Sequence, residues 1–464
     1  MQRYHWLRLV LGLGMIAAAW PAARAQSADA LIDKLVEKGI LTVKEANDLR
    51  EEADKDFTKA YAVKSGMPEW VTSLKLNGDL RGRFEGFYGD HPAFVDRNRW
   101  RYRLRFGAVA NLTDQIEVGL RLGSGDIDNA SSFVSGTDPI SNNQSFQNNA
   151  SKKGIFLDLA YGKWSPIRTP ELSGVFIGGK MENPFTLSDM LFDSDYTPEG
   201  LAQQFGYTLS EQHTLRLNMG EFVLDELGGD SDDPYLFGGQ LRLESVWNPK
   251  VSTSAGIGFL MIANEDLLTS SAVPDINAGN LRNTRVTVNP DGSRTVALTS
   301  PRERYETLVV DAALTYTLES FPFHAGPFPI RVFGDYLRNL ASNGQNQGYQ
   351  AGIAFGKSGK RRTWELTYRY KVLEGDAWWE ELTDSDFGAY YANSPAPTLD
   401  QARSSRAGYW AGTNVRGHVL KAAYSPLDPL TFSVTWFATD LIEEYRPDTD
   451  SQMNRIQVDA VLKF

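Results

Sequence analysis

From Leu74 to the carboxyl terminus, apolar and polar side chains change places at every second position, segment after segment. The last segment is the clearest: Ile456, Val458, Ala460, Leu462 and Phe464 interleave with Arg455, Gln457, Asp459, Val461 and Lys463. Such a period sends alternate side chains to opposite faces of a β-strand. The same pattern recurs at 74–88, 98–112, 115–123, 154–164, 174–182, 201–209, 213–223, 235–247, 251–263, 304–318, 329–340, 347–357, 362–374, 415–425, 430–442 and 454–464, predicting sixteen strands. Their length suits a tilted crossing of a bilayer, which takes about 9–11 residues, better than the short strands usual in soluble sandwiches.

The connections separate by parity. Odd-numbered strands precede the longest polar loops, 124–153, 183–200, 264–303 and 375–414, whereas even-numbered strands precede compact turns such as Asn111-Leu112-Thr113-Asp114, Asn248-Pro249-Lys250 and Lys357-Ser358-Gly359-Lys360. Two even connections, 165–173 and 319–328, are longer and Pro-rich. A soluble sandwich has no reason to sort loops by parity; a bacterial outer-membrane barrel does, with short periplasmic turns and long outer loops. The fold class expected is all-β: a transmembrane antiparallel β-barrel over 71–464. A barrel of this size encloses a water-filled lumen, whereas one of about eight strands is filled by side chains.

Residues 29–65 change to a helical period. Leu31, Leu35 and Val36 recur on one face, Gly39 supplies a stop, and Thr42 with Glu45 fits a capping box before a second stripe of Ala46, Leu49, Ala53 and Phe57. A periplasmic helical segment over 26–70 is expected. Before it, Arg3 and Arg8 precede an apolar run ending at Trp20, and Ala23-Arg24-Ala25 offers small residues for cleavage, so 1–25 reads as a signal peptide.

Composition narrows the function. The chain has no cysteine, which removes disulfides and thiolate metal sites, yet carries 11 Trp, 19 Tyr and 24 Phe. A formal charge of −11 argues against nucleic acid as a partner. The histidines, His5, His91, His213, His324 and His418, are scattered, so neither a metal centre nor an enzyme is expected, and no cofactor.

Gly179-Lys180-Met181-Glu182-Asn183-Pro184-Phe185, followed by Asp193, Asp195 and Pro198-Glu199-Gly200, resembles the outer-membrane porin family that carries a helical segment between signal peptide and barrel. Tyr368-Arg369-Tyr370, Asp376-Ala377 and Asp384-Ser385-Asp386-Phe387 resemble that family's late strand and loop. The resemblance implies a passive diffusion channel in the bacterial outer membrane.

Assigning the polar face of each strand to the lumen makes the lining more basic than acidic. Arg81, Arg83, Arg101, Arg103, Arg105 and Arg121 concentrate the positive charge on the first three strands. Like charges at cross-strand spacing repel unless acids approach. The loop 183–200, with neighbouring Glu182, holds Asp189, Asp193, Asp195 and Glu199 among Phe185, Leu187, Met190, Leu191, Phe192 and Tyr196. Apolar surface of that extent calls for a packing partner, so the loop is expected to fold into the lumen as a constriction.

The function expected is passage of small hydrophilic solutes with a weak anion preference. Expected partners are outer-membrane lipid and lipopolysaccharide, two further copies in a homotrimer, and the barrel-assembly machinery through Phe464. Two alternatives stay open at this point: a substrate-specific channel for an oxyanion or a sugar, and a non-conducting barrel serving as adhesin or structural anchor.

Overall fold

The alternating segments form sixteen long strands. They are β1 (Val71–Gly89), β2 (Arg97–Leu112), β3 (Ile116–Gly125), β4 (Gly154–Arg168), β5 (Leu172–Lys180), β6 (Glu199–Ser210), β7 (His213–Val223) and β8 (Tyr235–Asn248). The second half comprises β9 (Val251–Ala263), β10 (Glu306–Leu318), β11 (Phe328–Asn339), β12 (Gln347–Gly356), β13 (Thr363–Leu373), β14 (Val415–Leu427), β15 (Leu430–Leu441) and β16 (Met453–Lys463). The computed structural model describes residues 68–126, 139–268, 279–291, 293–391, 408–444 and 450–464. The signal peptide and the helical segment expected at 29–65 lie outside those residues.

Each strand pairs with the next in sequence, and β16 returns to β1 in antiparallel register from Asp79↔Lys463 to Gly89↔Met453. Closure leaves no unpaired edge inside the bilayer, where an unsatisfied backbone group is costly. The wall is inside out relative to a soluble protein. Trp100, Leu104 and Phe106 are exposed at 60%, 39% and 45%, whereas Arg103, on the opposite face of the same strand, is 8% exposed. An apolar band of this kind is satisfied by lipid.

The strand boundaries fall within a few residues of those read from the sequence. One irregularity disappears: β4 runs on to Arg168 and β5 starts at Leu172, so the connection shrinks to a turn in which Leu172 N–H donates to Thr169 Oγ1 at 2.9 Å. The other long even connection is real, and Phe321 within it stacks on Phe328 at 4.2 Å. The odd loops hold structure that alternation did not signal. Gln144–Ser145 pairs with β2, Arg282–Val288 with Arg294–Pro301, and Gly388–Tyr391 with Gly408–Ala411.

The principal hydrophobic cluster lies within the barrel. Met190, Leu191, Phe192, Trp378 and Trp379, all from loops, pack with Ala202, Phe222, Leu236, Leu260, Val309 and Leu337 on the inner faces of β6 to β11. Gly220 and Gly238, paired across β7 and β8, leave room for the Phe185 ring. A Cβ on Gly238 would stand 2.5 Å from Phe185 Cζ. Gly238 therefore serves as a niche for a loop side chain.

Candidate functional site

The chain leaves β5 through Gly179, whose φ of +114° is a conformation side chains disfavour and whose Cβ position lies 2.3 Å from Ala160 O. The loop that follows, 181–198, is then fastened to the wall. Thr186 N–H donates to Gln240 Oε1 at 2.9 Å, and Thr186 O accepts from Gln240 Nε2 at 2.8 Å and Arg242 Nη1 at 3.1 Å. Arg242 is itself held by both oxygens of Asp311, at 2.7 and 2.8 Å. Ser188 Oγ donates to Asp335 at 2.5 Å. Met190 and Leu191 are fully buried.

Beyond these anchors the loop's carboxylates reach two separate parts of the wall. Asp189 meets Arg369 at 2.5 Å and Lys371 at 3.1 Å on β13. Asp195 meets Arg103 at 2.8 Å and Arg105 at 3.2 Å on β2. Burial works against ionisation of Asp189, but the two cations beside it hold its carboxyl well below the usual carboxylate range. Asp193 is different. Burial, with Asp195 and Asp384 nearby, pushes its carboxyl well up, against two backbone N–H donors at 2.8 Å from Asp195 and Ser385.

A second loop segment, 375–391, completes the arrangement. Trp378 Nε1 donates to Leu191 O at 2.8 Å, Asp193 N–H to Leu382 O at 2.7 Å, and Asp384 N–H to Asp189 O at 2.9 Å. Asp384 contacts Lys371 at 2.9 Å, and Asp386 contacts Arg455 at 2.7 Å and Arg83 at 3.2 Å. Arg455 and Arg83 keep Asp386 ionised despite burial. Behind the segment, Arg282 and Glu380 form a fully buried pair at 2.5 Å, with the guanidinium 4.6 Å over the Trp379 ring. Sequence reading missed this segment's role. Trp378-Trp379 beside Asp384 and Asp386 repeats the mixture of large apolar and acidic residues seen in 183–200, and that was the available signal.

The six arginines proposed for a wall do come together on β1 to β3, and most are matched by acids. Arg83 binds Asp459 at 2.7 Å; Arg103 and Arg105 share Asp79 at 2.9 and 2.6 Å. Arg101 lies 3.5 Å from Asp126, and Arg121 pairs with Asp158 and Glu182. Arg81 instead donates to the Asn143 side-chain oxygen at 2.6 Å. Of the five acids proposed for the constriction, Asp189, Asp193 and Asp195 cluster. Glu182 and Glu199 do not join them. Their side chains are 60% and 65% exposed, and Glu199 belongs to β6, where it pairs with Lys180 at 2.9 Å.

The two loops stand between two cavities. One of about 550 Å³ opens toward the turn end and is lined by Arg81, Ser433, Thr435, Lys421 and Lys463 together with Asp193 and Asp386. Another, of about 400 Å³, lies on the side of the long loops against Tyr196, Thr197 and Leu382. Carboxylates paired to guanidinium groups on both sides of a wet lumen can orient and sort charged or dipolar solutes.

Residues 91–307, just under half of the chain, match the family described as "Putative porin". No curated protein matches the chain in sequence. Among solved structures, OprB of Pseudomonas putida at high pH is 11% identical, with 89% of this chain and 97% of that one covered and a TM-score of 0.49. The outer membrane channel DcaP of Acinetobacter baumannii is 12% identical over 84% and 97% of the two chains, with a TM-score of 0.40. OmpF of Salmonella typhi, in complex with daunomycin, is 9% identical over 84% and 97%, with a TM-score of 0.43.

Proposed function

Taking the chain as an outer-membrane channel of the porin kind, we propose that small hydrophilic solutes diffuse through its lumen and that the loops 183–200 and 375–391 set the aperture. The observation that carries this is the pair of anchorages, Asp195 on Arg103 and Asp189 on Arg369, at 2.8 and 2.5 Å. One loop thereby spans from the arginine wall to the basic strand β13. The reaction is transport down a gradient and needs no catalytic residue and no cofactor. An excess of lining base would favour anions, but the in-folded acids neutralise most of it. The weak anion preference then rests on Arg81 and Lys463 rather than on the whole wall.

The same reading has a homotrimer embedded in outer-membrane lipid and lipopolysaccharide, inserted by the barrel-assembly machinery through Phe464. That residue's backbone is bonded to Gly78, which is consistent with an assembly signal that also seals the seam. Planar-bilayer recording tests the proposal. Stable single-channel steps, with a reversal potential in a KCl gradient modestly toward the chloride value, are expected; a correctly folded barrel that never conducts would favour the anchor or adhesin reading instead.

A further inference from the structure

Within the turn-end cavity the charges are unevenly satisfied. Asp195, Asp459, Asp189 and Asp386 each contact a guanidinium at 3.2 Å or less. Asp193 leans toward its neutral form through burial and the acids beside it. Glu365 lies 3.6 Å from Lys421. Arg81 stands apart: among the described residues no carboxylate approaches its guanidinium within 4 Å, its Nη2 is bonded to an uncharged amide oxygen at 2.6 Å, and its buried Nε has no hydrogen-bond partner. Its neighbour on the same face, Arg83, is already engaged by Asp459 and Asp386.

What lies beside Arg81 is chemically distinct. In register, Arg81 faces Val461 on β16 and Val461 faces Thr431 on β15; Ser433 and Thr435 lie two and four residues further along β15, level with the Arg83–Asp459 and Glu85–Gln457 pairs. Two strand spacings separate β1 from β15, about 10 Å. Among the described residues the Ser433 and Thr435 hydroxyls make no side-chain hydrogen bond, and both line the cavity with Arg81. At about 550 Å³ the cavity is within the size range of small-molecule sites.

We propose that this cavity binds a small hydroxylated monoanion of the sugar-acid type, its carboxylate on Arg81 and its hydroxyls along Ser433 and Thr435. The inference rests on the channel reading and adds a solute class to it. A guanidinium that no carboxylate engages recognises one by paired N–H donors, and Lys463 on the same cavity wall adds to its pull on an anion. The hydroxyl lane separates a polyol acid from a simple carboxylate, since a site built to hydrogen-bond a hydroxyl rejects the analogue without it.

The test uses the folded full-length chain in planar bilayers, with gluconate, acetate and glucose added separately to a KCl bath. Gluconate is expected to block the current at concentrations at least tenfold below those of acetate or glucose. Arg81→Gln should raise the half-blocking gluconate concentration tenfold or more, Arg81→Lys less, and the double variant Ser433→Ala, Thr435→Val should bring gluconate down to the level of acetate. Equal block of parent and Arg81→Gln, or equal block by acetate and gluconate, overturns the inference. Calorimetric titration of gluconate into the detergent-solubilised protein reads the site without conduction. If the parent carries no current, the channel reading fails, and calorimetry alone then decides the binding site.

Discussion

Glu85 illustrates how charges are handled one side chain at a time. It is fully buried, accepts from Arg455 at 2.8 Å and Gln457 at 3.3 Å, and also pairs with Arg99. Removing one member of such a set leaves buried charge uncompensated, which costs about 3–5 kcal/mol. Glu85→Ala is therefore expected to lower the barrel's resistance to urea by that order, followed by tryptophan fluorescence. Asp376 makes a different prediction. Burial raises its carboxyl from 3.8 to about 7, its Oδ1 accepts from Leu281 N–H, and its buried Oδ2 has no partner. The folded loop thus favours the protonated form, so its contribution to stability is greatest below about pH 4 and is lost as pH rises through about 7. Hydrogen exchange at 375–382, corrected for intrinsic rates, should be slower at pH 5 than at pH 8, and Asp376→Asn should flatten that difference. The inward arginines were legible in the sequence because alternation alone sets which face a strand residue occupies. Their partners were not: Arg103 reaches Asp195 and Arg83 reaches Asp386 across distant stretches of chain, and no local pattern encodes such a meeting.

At the level of elements, the strands and the 183–200 loop could be read, whereas the second loop could not be placed. A run of apolar residues between strands demands burial, but it does not say against what. The answer lies in small inner-face residues, Ala202, Gly220 and Gly238, which leave space on β6 to β8, and in Trp378, whose indole is fully buried and bonded to Leu191 O at 2.8 Å. Deleting 186–197 is expected to enlarge single-channel conductance, and an unchanged value would remove the constriction. Trp378→Ala should loosen the contact between the loops by about 3–5 kcal/mol, the usual cost of emptying a site of that size. Limited proteolysis should then cut within 375–391 while the heat-modifiable migration of the barrel persists. Gly179→Ala should impair assembly, because a methyl group there collides with Ala160 O in a backbone conformation that alanine avoids.

On the scale of the molecule, closure of the wall depends on its last strand. β16 is bonded to β1 and β15, and Phe464 exchanges backbone hydrogen bonds of 2.9 and 3.1 Å with Gly78. Removing 454–464 would leave two open edges in lipid; the truncated chain is expected to give no compact, heat-modifiable species on gels, only aggregate. Strand count, facing and the sorting of loops by length follow from periodicity, a property of neighbouring residues that survives without knowledge of what lies across the lumen. The balance of charge inside does not, because it depends on which loops turn inward and whose carboxylates they carry to which wall. An arginine-rich face written in three adjacent strands became a largely neutralised one, with Arg81 left over, only when residues far apart in the chain were brought to within hydrogen-bonding distance.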